Sequence, residues 1–264
     1  MTGYSFYVML QQDALRLAPR PSARPSAHTM KLSIIIPAFN EQETLEAVVR
    51  HIEAVDLGHV EKEIIVVNDA STDRTQDIMK RLAGIVPISH PVNLGKGGAL
   101  ATGIKAATGD IVLFQDADLE YTPDDYAAVI APLLQGRCEA VMGSRFLHER
   151  PRFWGKRRSP YWNHYVGNQV ILAVTNRLYG QQFTDYEGCY KAFLRRLLLE
   201  TPIKAQGFEF DNELMCKLIR KGIRIEEVPI HYVPRTYAEG KKITWQHGMV
   251  ILWTILKWRL LPIG

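Results

Sequence analysis

The sequence predicts an α/β domain on a mostly parallel, doubly wound central sheet with helices on both faces. Three observations predict it. From Lys31 onward, short apolar runs alternate with segments whose apolar residues recur at helical spacing, the pattern of strands and crossover helices. The first runs are each followed by polar or glycine-rich residues, at the strand ends where such sheets bind ligands. A chain of 264 residues, 47% hydrophobic and 23% charged, can bury the core this architecture needs, which excludes disordered and fibrous classes.

Residues 1–17 lack the basic start and unbroken apolar stretch of a secretory signal, because Gln11, Gln12 and Asp13 interrupt them. Residues 20–28 are rich in Pro, Ser, Ala and Arg, so 1–29 reads as a disordered extension, with Met30 a second candidate start. Strands are expected at 32–37, 63–68, 86–90, 110–115 and 140–142. After the first, Leu45, Val48, Val49, Ile52 and Val55 repeat with helical period, and further helices fit 75–82, 97–107 and 123–134. Beyond residue 143 the pattern changes to a basic loop, a helix over 161–179, a polar stretch at 184–191, a helix over 210–220 and a last strand at 223–229.

The net charge of +4 is modest but uneven. Arg145, Arg150, Arg152, Lys156, Arg157 and Arg158 face only Glu149, and the tail sets Arg235, Lys241, Lys242, Lys257 and Arg259 against Glu239. Two basic patches on a near-neutral body point to anionic ligands, although such a cluster is by default a solvated face. No recognised nucleic-acid module accompanies them, so nucleic acid is not an expected partner. Cys138, Cys189 and Cys216 are widely spaced and form no C-x-x-C, which reads as a reducing compartment without a disulfide or zinc framework. His164, His231 and His247 show no H-x-x-x-H spacing and read as structural.

Four strand ends deliver polar residues to one edge: Ala38 to Glu41, Asp69 to Asp73, Asn93 to Gly98, and Asp116-Ala117-Asp118. In an extended segment alternate side chains share a face, so Asp116 and Asp118 can address one ion, with Glu120 near enough to contribute directly or through water. An oxygen-only set suits Mg²⁺ or Mn²⁺, which keep positions for water and phosphate. Lys96 lies in a glycine-rich turn where amides and an ammonium can meet phosphate, and a plain loop is the alternative. Asp73 is placed to cap the helix beginning near Thr75.

These segments, in this order, resemble family 2 glycosyltransferases: Ser33 to Glu41, Val66 to Asp73, Asn93 to Gly97, and Asp116 to Asp118. Gly143-Ser144-Arg145, the basic loop to Ser159 and the run from Arg235 to Lys241 make the chain most similar to the branch of dolichyl-phosphate mannosyl- and glucosyltransferases. The resemblance covers about residues 31–235 and implies a GT-A type, Rossmann-like fold. It implies a 30–142 half for the nucleotide sugar, a 143–235 half for the acceptor, and Asp116 and Asp118 holding a metal on the donor diphosphate. Pro37, Phe39 and Glu41 match the lining of the nucleotide pocket, and Asp69 matches an aspartate that accepts from the base. Asn68 replaces an acid frequent at its position, and Glu120 replaces a frequent glutamine that is a third metal ligand. No Q-x-x-R-W motif of processive synthases is present.

The implied reaction is inverting transfer of a hexose, mannose or glucose, from a GDP- or UDP-linked donor to a polyprenyl phosphate. A lipid monophosphate is largely dianionic at neutral pH and needs cations rather than a base. Arg145, Arg157, Arg158, Arg235 and Lys241 are the candidates. A hydroxyl acceptor would instead need a carboxylate base among Asp185, Glu187, Glu209, Asp211 and Glu213. A nucleotide-binding module without turnover is the third reading. Residues 236–264 read as a basic amphipathic helix. Residues 243–256 are charge-free but fall short of the roughly 20 apolar residues of a spanning helix. Trp245, Trp253 and Trp258 with flanking Lys and Arg suit a helix in the headgroup region at the cytoplasmic face of a membrane, and packing on the domain or in a homo-oligomer interface is the alternative.

Overall fold

The computed structural model describes residues 29–147, 162–233 and 245–263. Its strands are β1 (Lys31–Ala38), β2 (Glu61–Asn68), β3 (Ile85–Ser89), β4 (Ile111–Phe114), β5 (Ala140–Ser144), β6 (Lys191–Leu194) and β7 (Ile225–Pro229). Its helices are α1 (Leu45–Ala54), α2 (Thr75–Arg81), α3 (Gly95–Ala106), α4 (Tyr126–Leu134), α5 (Trp162–Tyr179), α6 (Arg195–Leu199), α7 (Phe210–Arg220) and α8 (Trp245–Leu260). The strands form one seven-stranded sheet in the order β3-β2-β1-β4-β6-β5-β7.

β1 is at the middle of the parallel part, pairing with β2 on one side and β4 on the other, so Ile35 faces both Ile65 and Phe114 in register. Leu32 through Ile36 are all buried, because helices cover both faces and leave no solvated side for polar alternation. Leu32, Ile34 and Ile36 enter a core with α1, α2 and α4, whereas Ile35 enters a second core with α3, α5, α6, α7 and α8. α1 answers with Leu45, Val48, Val49 and Ile52, one buried stripe at the expected period. α3 lies so close to β1 that a Cβ on Gly103 would run into the Ile35 side chain.

β6 and α6 are absent from the sequence expectations. β6 runs antiparallel to both β4 and β5, while β5 and β7 are parallel. Its four residues, Lys191 to Leu194, are too few to display a period, and the lysine at its head disguises the apolar run. The other elements fall where expected, with ends shifted by a few residues. The sheet is therefore mostly parallel with one reversed strand inserted between β4 and β5.

α8 buries Ile251, Ile255 and Trp258 and leaves Met249, Val250, Trp253, Leu256 and Leu260 exposed. Its last turns meet the end of α5, where Tyr179 Oη donates to the Ile255 carbonyl and Arg259 Nε donates to the Leu178 carbonyl. No helix among the described residues is long and apolar enough to cross a membrane. Residues 1–28 of the expected N-terminal extension, most of the basic loop and residues 234–244 lie outside the described residues.

At the edge away from the ligand loops, Glu63 ties three segments together. Its carboxylate accepts from Ser33 Oγ at 2.5 Å, from Thr108 N at 2.9 Å and from Thr108 Oγ1 at 2.6 Å, with Lys31 Nζ 3.1 Å away. Burial opposes its charge, but the hydrogen bonds from Ser33 and Thr108 prevail and hold its pKa down from 4.5 to about 2. A depressed folded pKa makes this stabilisation complete above pH 4.5 and progressively lost as the pH falls toward 2. Glu63→Gln is expected to lower stability at neutral pH by about 1–3 kcal/mol. In urea titrations across acidic pH it should also lose less stability than the parent chain, and parallel curves would contradict this assignment.

Candidate active site

The loops that follow the parallel strands are tied to one another in sequence around the edge. Asn40, after β1, accepts from Thr72 N at 2.8 Å through Oδ1, and its own N–H donates to Ser71 Oγ at 2.9 Å. Glu41 N donates to Thr75 Oγ1 at 2.9 Å, and Gln42 N donates to Asp73 Oδ2 at 3.1 Å. Asp73 Oδ1 also accepts from Thr75 N at 2.9 Å, whereas the N-cap position of α2 is Arg74, so Asp73 stands one residue ahead of the cap it was expected to form. Asn40 and Ala70 both have left-handed φ, 54° and 57°, and Ala70 holds that conformation despite its Cβ.

Asp69 carries the tie onward to the turn after β3. Its carboxylate accepts from Leu94 N and Gly95 N, each at 2.8 Å, and lies 2.7 Å from His90 Nδ1. The other ring nitrogen of His90 is 2.9 Å from Thr102 Oγ1. The Asp69 side chain is 4% exposed. As placed, Oδ1 accepts from Leu94 N and Oδ2 from Gly95 N, so both carboxylate oxygens engage the protein's own amides. The turn entering α3 has amides without helical partners, and Asp69 supplies an acceptor for two of them.

That turn presents Lys96 to the end of β4. Lys96 Nζ is 2.6 Å from Asp116 Oδ1, with the two side chains 21% and 25% exposed, so the pair is sheltered yet reachable. Burial works against both charges, but each is overcome by the other partner, raising the Lys96 pKa and lowering that of Asp116. Lys96 is thus part of an ion pair in the first turn of a helix rather than a plain loop residue. Gln115, fully buried, steadies the position: Nε2 donates to the Asp116 carbonyl at 2.8 Å, and Oε1 accepts from Tyr126 and Tyr190 hydroxyls. The Gly95–Gly98 backbone is pressed on the 206–210 segment, where a Cβ on Gly97 would meet Phe210 Cβ at 2.7 Å.

Asp116, Asp118 and Glu120 do not converge as a cage. Among the described residues no group of three or more His, Cys, Asp or Glu stands ready to hold a metal ion. Asp118 Oδ1 accepts from Glu120 N at 3.1 Å, which bends the chain. The Glu120 carboxylate then hydrogen-bonds the Tyr232 hydroxyl, and its carbonyl accepts from Val233 N at 2.9 Å. Glu120 therefore latches the Asp116–Glu120 loop to the segment after β7.

The remaining site residues come from the segment that enters β6 and from α7. Because β6 is reversed, its entry at Lys191 lies at the same edge as the exits of β4 and β5. Lys191 Nζ donates to the Gly188 carbonyl at 2.5 Å and is 3.6 Å from Asp211 Oδ2. Asp211 Oδ1 is buried without a hydrogen-bond partner among the described residues. Glu187 accepts from Asn212 Nδ2 at 2.9 Å, and burial pushes its carboxyl pKa up. Burial likewise raises the Cys189 thiol beside Asp116, which keeps it neutral. Sequence reasoning missed Lys191 and Cys189 as site neighbours. A polar stretch before a short apolar run was the available signal.

Arg145 was expected to offer its fork to a phosphate. Instead Nε and Nη2 donate to Asp185 at 2.6 and 2.9 Å, its backbone N–H reaches the same carboxylate at 3.1 Å, and the guanidinium lies 5.0 Å from the Tyr232 ring centre. Among the acids weighed as a base, Asp185 is thereby paired, and Glu213 is buried with Lys217 while accepting from Lys204 N and Ala205 N. Pro37, Phe39 and Glu41 line the exit of β1, where Glu41 Oε2 accepts from Thr44 Oγ1 at 3.0 Å. Arg157, Arg158, Arg235 and Lys241 lie outside the described residues.

The chain matches the glycosyl transferase family 2 model over residues 33–201. A UDP-N-acetylglucosamine–dolichyl-phosphate N-acetylglucosaminyltransferase of Methanococcus voltae is 30% identical over 244 residues, covering 84% of this chain and 94% of that protein. Glycosyltransferase AglD of Haloferax volcanii is 28% identical, covering 82% of this chain and 35% of the relative. Among solved structures, glucosyl-3-phosphoglycerate synthase of Mycobacterium tuberculosis has a TM-score of 0.66 at 26% identity, covering 88% of this chain and 82% of that one. Fold and ligand edge together define a GT-A type sugar transferase working from a nucleotide-linked donor. The chain belongs to glycosyl transferase family 2.

Removing the Asp69 carboxylate would leave the Leu94 and Gly95 amides and His90 without their acceptor. Asp69→Ala is expected to cost about 2 kcal/mol of stability or more, read as a lower urea midpoint without any nucleotide present. An unchanged midpoint would return Asp69 to a role confined to ligand contact.

Proposed function

We propose that this family 2 glycosyltransferase moves a hexose or N-acetylhexosamine from a nucleotide diphosphate donor to a polyprenyl phosphate at a membrane surface. The observation that carries the donor half is the Lys96–Asp116 pair, with Asp118 two residues on, at the edge where four strand-end loops meet. Asp116 already accepts a cation there, so the position fits a divalent ion that takes two protein carboxylates and completes its shell from water and phosphate. Mg²⁺ or Mn²⁺ is the group proposed, and the mycobacterial neighbour was crystallised with Mn²⁺ and UDP. When bound, such an ion would act as a Lewis acid that stabilises the departing diphosphate.

The protein's own part is positioning and charge. Asp69 fixes the turn carrying Lys96, Gln115 fixes the backbone of Asp116, and Arg145 with Asp185 stiffens the acceptor side. Pro37, Phe39 and Glu41 are proposed for the nucleotide side of this edge. A phosphate acceptor supplies its own nucleophilic oxygen, so Arg157, Arg158, Arg235 and Lys241 are proposed to hold it rather than activate it. The relative from Methanococcus voltae, named for a dolichyl-phosphate acceptor, supports the lipid reading. The exposed stripe of α8 supports a membrane-facing role: Trp253 is 65% and Leu260 82% exposed, with Lys257 and Arg259 on the same helix.

A hydroxyl acceptor is the second reading, favoured by the buried, unpartnered Asp211 Oδ1 near Lys96. Screening UDP- and GDP-linked mannose, glucose and N-acetylglucosamine against a short polyprenyl phosphate, with organic extraction of labelled product, separates the two. Lipid-linked product is expected from one of these donors with a divalent ion present. Asp116→Ala should reduce transfer at least a hundredfold while the circular dichroism spectrum is retained. Transfer to water-soluble sugars alone, abolished by Asp211→Asn, would establish the hydroxyl reading in its place.

A further inference from the structure

We propose that the Lys96 ammonium is a resident counter-ion at the metal position, so that a divalent ion enters only together with a nucleotide diphosphate that draws Lys96 away from Asp116. The proposal rests on the donor reading above, in which Asp116 and Asp118 hold a metal on the diphosphate. Lys96 Nζ stands 2.6 Å from Asp116 Oδ1, and an ion coordinated directly by a carboxylate oxygen at about 2.1 Å would compete for the same oxygen and the same space. Two cations on one carboxylate repel, so the metal alone meets a filled position.

The exchange is confined to the side chain. Asp69 clamps the amides of Leu94 and Gly95, directly before Lys96. Gly98 N, two residues after it, donates to the Gln206 carbonyl at 3.0 Å. Between these anchors the backbone is pinned, while the flexible four-carbon stem of lysine leaves its ammonium free to turn. A diphosphate arriving at the start of α3 provides several anionic oxygens for it. Asp211, whose Oδ1 lacks a hydrogen-bond partner among the described residues and whose charge acts on Lys96, supplies a second acceptor within the same cluster. Withdrawal of the ammonium therefore does not strand a buried positive charge, and Asp116 is released to an incoming ion.

The test measures Mn²⁺ binding to the full chain, by the electron paramagnetic resonance signal of free Mn²⁺, with MnCl₂ alone and with UDP or GDP. The parent chain is expected to bind Mn²⁺ alone weakly and at least tenfold more tightly with one of the nucleotides. Lys96→Met should bind Mn²⁺ alone at least tenfold more tightly than the parent and lose most of the gain from nucleotide. Lys96→Arg, which keeps a cation there, should stay near the parent, and Lys96→Gln serves where the methionine variant does not fold. If the neutral variants bind Mn²⁺ alone no better than the parent while nucleotide still tightens the parent tenfold, the counter-ion proposal is overturned and the donor reading stands. If no protein binds Mn²⁺ even with nucleotide, the metal-diphosphate reading falls and this proposal falls with it.

Discussion

The grip of the Asp69 carboxylate on the Leu94 and Gly95 amides is the interaction on which the ligand edge depends. Asp69 lies directly after β2, whereas the amides it holds belong to the turn that begins α3. A parallel sheet fixes only where its strands end, and the loops beyond are otherwise free to wander. The Asp69 contact converts that freedom into a defined start for α3, and Lys96, one residue on, inherits its position from it. Ties from Asn40 and Gln42 to the 71–74 segment brace Asp69's own loop from the β1 side. Four strand ends thus share one chain of hydrogen bonds that ends on Asp116. A charged acceptor suits this hub because its bonds to buried amides are stronger than neutral ones.

The legibility of this edge in the sequence follows the direction of the strands. Residues after β1, β2, β3 and β4 could be read, because each apolar run ends in a change to polar or glycine-rich residues and parallel strands all deliver those ends to one side. β6 breaks the rule. It runs the other way, so the residues brought to the edge are those that precede it, from Asp185 to Lys191. No local pattern announces that reversal, since strand direction is decided by the chain's path through the whole fold and not by four residues. Individual roles were less legible than positions. Asp69, Glu120 and Arg145 all lie at the expected edge, yet their donors and acceptors meet the protein's own groups, which are supplied by segments far away in sequence.

Those internal partners follow from the cost of desolvation. Lys96, Lys191, Arg145, Asp116, Asp185 and Glu187 lie within one sheltered region, and an isolated buried charge is strongly unfavourable, so each must find a counter-charge or a hydrogen bond before any ligand arrives. A ligand entering a region assembled in this way would have to replace an existing contact with one at least as strong, which favours highly charged ligands over neutral ones.

The same logic separates the two ion pairs of this edge. Arg145 is locked by three hydrogen bonds to Asp185 and flanked by Tyr232 and Phe146, so exchanging it for a ligand would open a bidentate pair that is almost entirely out of solvent. The Lys96–Asp116 contact is a single bond between partly exposed groups, and it opens far more cheaply. Arg145 therefore works as a rigid post. Through Tyr232, which also binds Glu120, that post connects the loop carrying Asp116 and Asp118 to the segment after β7. Val233 N donates to the Glu120 carbonyl at the same junction, so the segment after β7 and the Asp116–Glu120 loop are held by one set of contacts. Contacts shared in this way fix the separation of the two segments and so preorganise the edge before a ligand arrives.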